Sequence, residues 1–578
     1  MTIPPAGTHS DASHISTCSR EPEGEMAQSV WHHAVSRGEP WSRRDSLILL
    51  LLFVAGAVLR FGTLTAKPFW IAEVQAFPFA WQGGFFDNWM YSAGDLIGFF
   101  YHKLCATLGL PATPFVARAH SALLGTFMAP VLFFILRRKF TRQVSALTAL
   151  LVAISVPLVS LSQQSRFYIG VATFASWSMA LELACPPSRR KFLSMAIFDS
   201  LAVLSHPFGI LWAGTRWGFV WITRPNAMWR YRRFVIPAMA APLLFVGLQF
   251  VEILTAKPAF LELHEYFSLG TVPPGFTFFS ELVGHFAAGS GIHAGIMGFL
   301  LLAGVVSLSQ GRLRTAQFAV TMAFVAPVVV LMMIWLGHAR FSFAHIPGAA
   351  FPVYFLAAIG MLTLSRCVPS VAPRRLLLLV LLALVGGNML AQQWRYHRRE
   401  TRLELGADFH SACQFLGEKL VSGDVILTHY DKYFTSFAYE CGQTVPADIP
   451  VVTPRQPKGQ WTLNFLHLKG DNGTFALPLE QMVSFDEFEH RLTPGHKVYL
   501  LLPYRELITG DFSETYLWWG ATGLYGPLEG VTLENHPEAE YQMFPTLALV
   551  WFTVPPRDKL ETIMPSINSL LEEQWPIL

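Results

Sequence analysis

Apolar runs long enough to cross a bilayer recur through the first two thirds of this chain of 578 residues, and they constrain its fold more than any other feature. The first runs from Ser46 to Leu64. Others follow near 116–137, 144–162, 166–184, 234–254, 291–309, 315–336, 344–365 and 374–391. Lipid supplies no hydrogen-bond partner for an exposed backbone, so such runs are helices. Phe192 to Ile222 is too long for one crossing and carries Ser205-His206-Pro207 near its centre, which predicts two short helices there. The reading is an α-helical polytopic membrane protein with about eleven crossings. Composition agrees: 52% of the residues are apolar and 14% charged, with a mean hydropathy of +0.39, too apolar for an ordinary soluble chain.

The places of the cations orient the bundle. With the run at 192–222 split in two, Arg43-Arg44, Arg137-Arg138-Lys139, Arg189-Arg190-Lys191, Arg230 with Arg232-Arg233, Arg312 with Arg314, and Arg374-Arg375 all fall on one face. By the positive-inside rule that face is cytoplasmic. The outer loops are then 65–115 and 255–290, the turn around Arg340 is outside, and so is everything beyond 391. Leu96 to Leu110 is apolar but short and holds His102 and Lys103, so it is expected to lie along the outer surface as a helix.

Three regions follow. Residues 1–45 are polar, rich in Ser, His and Glu, and aperiodic, a flexible cytoplasmic tail. Arg43-Arg44 leads into the first run with no small-residue cleavage site, so that run reads as an uncleaved anchor. Residues 46–391 are the transmembrane domain. In 392–578 Asp, Glu, Gly and Pro return, and the pattern is that of a soluble α/β domain: an apolar stripe over Ala407 to Leu420 predicts a helix, and Val425 to Tyr430, Lys497 to Tyr504 and Thr546 to Val554 predict strands. Cys413 and Cys441 lie in this region, either joined in an oxidising compartment or as two free buried thiols. The cysteines show no CxxC or metal-ligand spacing, and no residue is assigned to a metal. A formal net charge of +3 without a long basic or acidic run excludes nucleic acid as the obvious partner.

Ionisable groups near lipid are costly and mark functional sites. Those at the outer ends of the runs are Lys67, Glu73, Asp95, Arg118, Arg166, His206 and Arg340, with Gln163, Gln164 and Tyr168 beside Arg166. In order, Leu59-Arg60-Phe61, Trp70-x-x-Glu73, Asp95, Arg118 before Ser121-Ala122-Leu123, Ser162-Gln163-x-x-Arg166-x-Tyr168, His206-x-Phe208-Gly209 and Arg340-Phe341 resemble the motif series of GT-C glycosyltransferases. The resemblance is to the bacterial branch related to protein O-mannosyltransferases and the lipid A aminoarabinose transferase. It covers residues 46–391, and Ala407 to Leu427 resembles the opening of that branch's outer domain.

The resemblance implies a membrane glycosyltransferase that moves a sugar from a polyprenyl-phosphate donor to a lipid, glycan or protein acceptor on the outer face of the bacterial inner membrane, with a periplasmic C-terminal domain. It implies catalytic carboxylates at Glu73 and Asp95, donor-phosphate binding by Arg340 and Arg166, and support from Arg118, Tyr168, His206 and Lys67. A carboxylate base takes the acceptor hydroxyl's proton, and guanidinium groups suit the departing phosphate. No cofactor is fixed: some relatives of the wider fold use a divalent cation and others do not. This chain departs from the pattern. Ala72-Glu73 stands where Asp-Glu is usual, Ile97-Gly98-Phe99 where His-Pro-Pro follows the loop's second Asp, and Gln164 where Glu is common. Glu73 or Asp95 is therefore expected in the role of base.

Plainer readings stand beside these. Glu73 fits a solvated loop carboxylate, Asp95 a helix N-cap, Arg166 and Arg340 interfacial anchors, and His206 a packed polar group at a helix break. Asp199, seven residues before His206 on the same face, is expected to share a buried hydrogen bond with it. Two rival functions remain open on sequence alone. One is a catalytically inactive relative serving as a scaffold or binding subunit of a polysaccharide or glycoconjugate assembly machine. The other is a transporter with Asp199, Glu182 and His206 along its path.

Overall fold

Ser42 opens the first helix, α1 (Arg43–Phe61), with a reciprocal capping box: its hydroxyl accepts from Asp45 N–H while the Asp45 carboxylate accepts from Ser42 N–H. The same carboxylate accepts from Arg137 and Arg142, each at 2.9 Å, so the start of α1 is tied to the turn between α3 (Pro114–Leu136) and α4 (Arg142–Ile154). The computed structural model describes residues 40–65, 95–255 apart from 112, 276–329 apart from 290, 346–397, 409–428, and shorter stretches between 441 and 558.

Helix α2 (Leu96–Thr107) precedes α3, where the sequence places a surface helix. After α4 the chain bends by 55° into α5 (Val156–Ser162). Pro157 has no N–H to donate to Ala153 O four residues back, so the helix cannot run on through it; the chain breaks at Ser155 (ψ 118°) and Pro157 sits in the first turn of α5. Tyr354 Oη holds it, 2.8 Å from Ser155 Oγ and 3.0 Å from Phe286 O. The run expected to be one straight span is thus two helices. Next come α6 (Tyr168–Ala184), α7 (Arg189–Ser205) and α8 (Gly209–Thr223), the last two divided at His206-Pro207-Phe208. Helix α9 (Pro225–Thr255) follows, then α10 (Phe276–Ala287), a helix within what the sequence reads as the outer loop 255–290.

Helix α11 (Ile292–Val320) continues through a π turn, Thr321–Val325, but Arg312 breaks it with non-helical backbone (φ −152°, ψ 61°). The broken stretch Ile292–Val329 has 38 residues, about 57 Å of helix against a hydrocarbon layer of about 30 Å, longer than one straight crossing needs. A short 3-10 turn, Pro347–Ala349, leads into α12 (Ala350–Arg366), and α13 (Val371–His397) closes the bundle. Helices α11 and α12 cross at Gly304 and Gly360, where an added Cβ would strike the carbonyls of Leu356 and Leu300; small residues let two backbones meet this closely.

Among the described residues four stretches are long and apolar enough to cross a membrane: Pro114–Leu136, Ile292–Val329, Pro347–Arg366 and Val371–Arg395. The bent pair α4–α5 makes a fifth. Helix α6, 17 residues, falls short by its length, and α7, also 17, carries Arg189, Arg190, Lys191 and Asp199 besides; both pack inside the same apolar core.

A separate apolar cluster lies in the C-terminal third. There α14 (Phe409–Lys419) packs on a six-stranded sheet: β1 (Val425–Thr428), β2 (Val451–Val452), β3 (Met482–Val483), β4 (Lys497–Pro503), β5 (Glu540–Met543) and β6 (Leu547–Thr553). The order is β3-β2-β1-β4-β6-β5, with β3, β2, β1 and β4 parallel and β6 antiparallel to both neighbours. Cys413 on α14 and Cys441 are joined by a disulfide with Cα atoms 5.1 Å apart.

Candidate active site

The basic clusters meet at one end of the bundle. Besides the Asp45 pairs, Glu182 near the end of α6 is paired with Lys191 (2.8 Å), Arg314 (3.2 Å) and Arg224 (3.5 Å), and Lys139 caps the same helix end by donating to Leu183 O at 2.6 Å. The candidate site lies at the other end, where α1 finishes, α2 and α3 begin and the turns 163–167 and 206–208 sit.

Asp95 is the N-cap of α2, its carboxylate accepting Gly98 N–H at 2.8 Å. Gly98 is required by this contact, because a Cβ there would run into the Asp95 carboxylate. A proline would have no N–H to donate, so Ile97-Gly98-Phe99 in place of His-Pro-Pro changes how the acid is held. Burial pushes the Asp95 carboxyl up to about 7, opposed by the Gly98 hydrogen bond and the positive charge of Arg166. Asp95 is thus both a cap and a carboxyl within electrostatic reach of Arg166, whereas the plainer reading gives it only the first role.

Arg166 is placed by its neighbours. Its backbone carbonyl accepts from Ser121 Oγ on α3 (3.4 Å), and its guanidinium donates to Tyr168 Oη (3.4 Å) and lies 5.6 Å over the Phe167 ring and 5.8 Å over the Tyr168 ring. Phe167 in turn stacks on His206, ring centroids 3.7 Å apart and 19° between planes. His206 Nδ1 accepts from Phe208 N–H at 3.1 Å, which shapes the α7–α8 break. Arg118 donates to Leu64 O at 2.9 Å, fixing the end of α1 against α3.

Asp95, Arg166, Tyr168, His206 and Arg118 therefore gather at one end. Lys67, Glu73 and Arg340 lie outside the described residues, as does Ala72. His206 does not meet Asp199, which is buried against Arg216 of α8 as an ion pair; a cation seventeen residues away on the next helix is the stronger partner for a buried carboxylate. Glu182 is at the basic end, paired with Lys191, Arg224 and Arg314.

Sequence reasoning left several supporting groups without a role. Arg60, fully buried at the end of α1, donates to Ser162 Oγ (3.1 Å), Gly56 O (3.3 Å) and Ala153 O (3.1 Å), joining α1 to the bent pair. Gln163 donates to Leu59 O, Arg60 O and Thr63 Oγ1. His102 on α2 reaches Ala117 O (2.9 Å) and Ser165 Oγ (3.2 Å), which ties the helix that begins at Asp95 to the turn that carries Arg166. The signal was present in Arg60, a charge in the last turn of an apolar run. An apolar groove of about 390 Å³ between α11 and α13, walled by Ile292, Phe299, Leu381 and Leu384, is formed by none of these residues. No group of three or more metal-ligating side chains occurs among the described residues.

No family model matches the sequence, and no curated protein matches it. Solved structures do match. The crystal structure of ArnT from Cupriavidus metallidurans in the apo state superposes with a TM-score of 0.52 at 15% identity, covering 87% of this chain and 97% of that one. ArnT from the same organism bound to undecaprenyl phosphate gives a TM-score of 0.50 at 13% identity, with the same coverage. The chain has the GT-C membrane fold of these structures.

Proposed function

We propose that the chain is a GT-C glycosyltransferase that takes a sugar from a polyprenyl-phosphate donor and joins it to an envelope acceptor at the bundle end remote from the basic clusters. The observation that carries the reading is that Asp95 and Arg166 stand within electrostatic reach of each other at that end, on a fold like that of ArnT, one structure of which holds undecaprenyl phosphate. The acceptor oxygen attacks the anomeric carbon as the bond from that carbon to the carrier's phosphate oxygen breaks. The acceptor proton passes to a carboxylate, Asp95 or Glu73, and the leaving phosphate keeps the electron pair against Arg166 and Arg340. An acid held up near 7 suits the base role at neutral pH, being half ionised there. Arg118, Tyr168, His206 and Lys67 support the site.

The path of α13 supports a non-cytoplasmic place for the C-terminal sheet. Arg374 at its start bonds Val368 O, beside Arg366 and Arg375, whereas His397 at its finish is 2.6 Å from Thr63 Oγ1, next to the end of α1. The chain after 397 thus leaves from the Asp95 end, and a disulfide at Cys413–Cys441 fits an oxidising compartment there.

Purified protein in vesicles, given a polyprenyl-phosphate-linked sugar and membrane extract as acceptor, tests the reading by mass analysis of products. Asp95→Asn keeps the cap and should slow transfer by about 100-fold, with a wild-type rate that rises with pH through about 7. An undiminished rate in Asp95→Asn removes Asp95 as base, and an unchanged rate in Glu73→Gln removes Glu73. Donor binding without turnover in the wild type selects the scaffold reading instead.

A further inference from the structure

The basic end holds more positive charge than its carboxylates balance. Lys139, Lys191, Arg224 and Arg314 all contact or cap the end of α6 around Glu182, and Arg312 is close enough to act on Lys139. Five cations thus face one carboxylate. By contrast, Asp45 with Arg137 and Arg142 is nearly balanced. Burial first, then the positive charges of Arg312, Lys191 and Arg224, hold the Lys139 ammonium down to about 8 despite Glu182.

The two lysines are occupied by carbonyls, Lys139 by Leu183 O and Lys191 by Glu182 O and Cys185 O. The arginines are different. Among the described residues Arg224 and Arg314 form ion pairs with Glu182 alone, through side chains 27% and 33% exposed, and Arg312 has no carboxylate partner. Exposed apolar side chains adjoin them in sequence: Trp221 and Ile222 before Arg224, and Leu313 between Arg312 and Arg314. Trp221 also meets Trp229 at a ring distance of 6.2 Å, an aromatic pair suited to headgroup depth. Guanidinium groups next in sequence to exposed apolar side chains, at the basic end of a helical bundle, match a phosphate attached to acyl chains.

We propose that Arg224, Arg312 and Arg314 form a binding site for the phosphate of an anionic phospholipid, with Trp221, Ile222 and Leu313 against its acyl chains. It does not depend on what reaction the opposite end carries. The arginines supply the charge that Glu182 alone leaves uncancelled, and the lipid's negative charge completes it.

Native mass spectrometry of the detergent-purified protein, offered equal amounts of phosphatidylglycerol and phosphatidylcholine, reads the preference. The wild type should retain phosphatidylglycerol about tenfold or more over phosphatidylcholine, and Arg312→Gln/Arg314→Gln should bring the two near parity. Should that variant fail to fold, melting of the wild type decides: phosphatidylglycerol should raise the midpoint, while phosphatidylcholine and inorganic phosphate at equal concentration should not. Equal retention of both lipids by the wild type, a preference that survives in the folded variant, or a shift by inorganic phosphate as large as that by phosphatidylglycerol overturns the proposal.

Discussion

The two ends of the bundle hold their cations differently. At the basic end, carboxylates are enclosed by guanidinium and ammonium groups: Asp45 by Arg137 and Arg142, Glu182 by Lys191, Arg224 and Arg314. At the other end carbonyls hold Arg118 and Arg60, while Arg166 lies against a phenol and two rings with the Asp95 carboxyl within electrostatic reach. A buried charge closed on an opposite charge serves the fold and loses heavily when its partner is removed. A charge held by neutral groups keeps its field available to an incoming anion. The comparison assigns stability to one end and chemistry to the other, and it is open to test.

The strongest way to break it is Asp45→Ala. This leaves two guanidinium groups around an empty position, and a loss of about 3–5 kcal/mol is expected, read as a collapse of the monodisperse fraction and a lower melting midpoint; a normal melt would show that the basic end does not anchor the fold. Removing the disulfide with Cys413→Ser and Cys441→Ser should cost the sheet region about 3 kcal/mol, for a sequence separation of 28. Pulse proteolysis should find that loss confined to the C-terminal third, and a disulfide that is absent from protein isolated under thiol-blocking conditions contradicts an oxidising compartment for that end.

Arg166→Gln sharpens the other side of the comparison. Transfer should slow by about tenfold or more while the melting midpoint moves by less than about 1 kcal/mol equivalent; equal losses in rate and stability would make Arg166 a structural residue. The smallest effect is in pH. The folded Asp95 binds its proton more tightly than the unfolded chain does, being raised from 3.8 to about 7. Its contribution therefore favours folding at low pH and is lost progressively as pH rises from about 4 to about 7. Asp95→Asn should flatten that part of the stability profile, and an unchanged slope would show that the carboxyl is not buried in the folded state.

Much of the bundle was legible because hydrophobic length and cation placement are local properties. The break at His206-Pro207, the helix α2 and the three principal strands follow from residues within a few positions of each. The bend at Ser155 was written in Pro157 but hidden by an unbroken apolar run, and α10 by the polar loop before it. What sequence alone does not carry is partnership across helices. Asp199 finds Arg216 and not His206, and Glu182 gathers cations from three other segments, because the winning partner depends on packing that no local pattern specifies. At the site, Asp95 and Arg166 were marked by being charged at helix ends. The role of His102 in tying their elements together comes only from the fold.

The backbone break at Arg312 has a consequence far from where it sits. It lets the two parts of Ile292–Val329 follow different axes, so that Gly304 meets the backbone of α12 while Arg314 reaches Glu182 at the end of α6. Were the stretch a single straight rod, both contacts would have to be met along one axis.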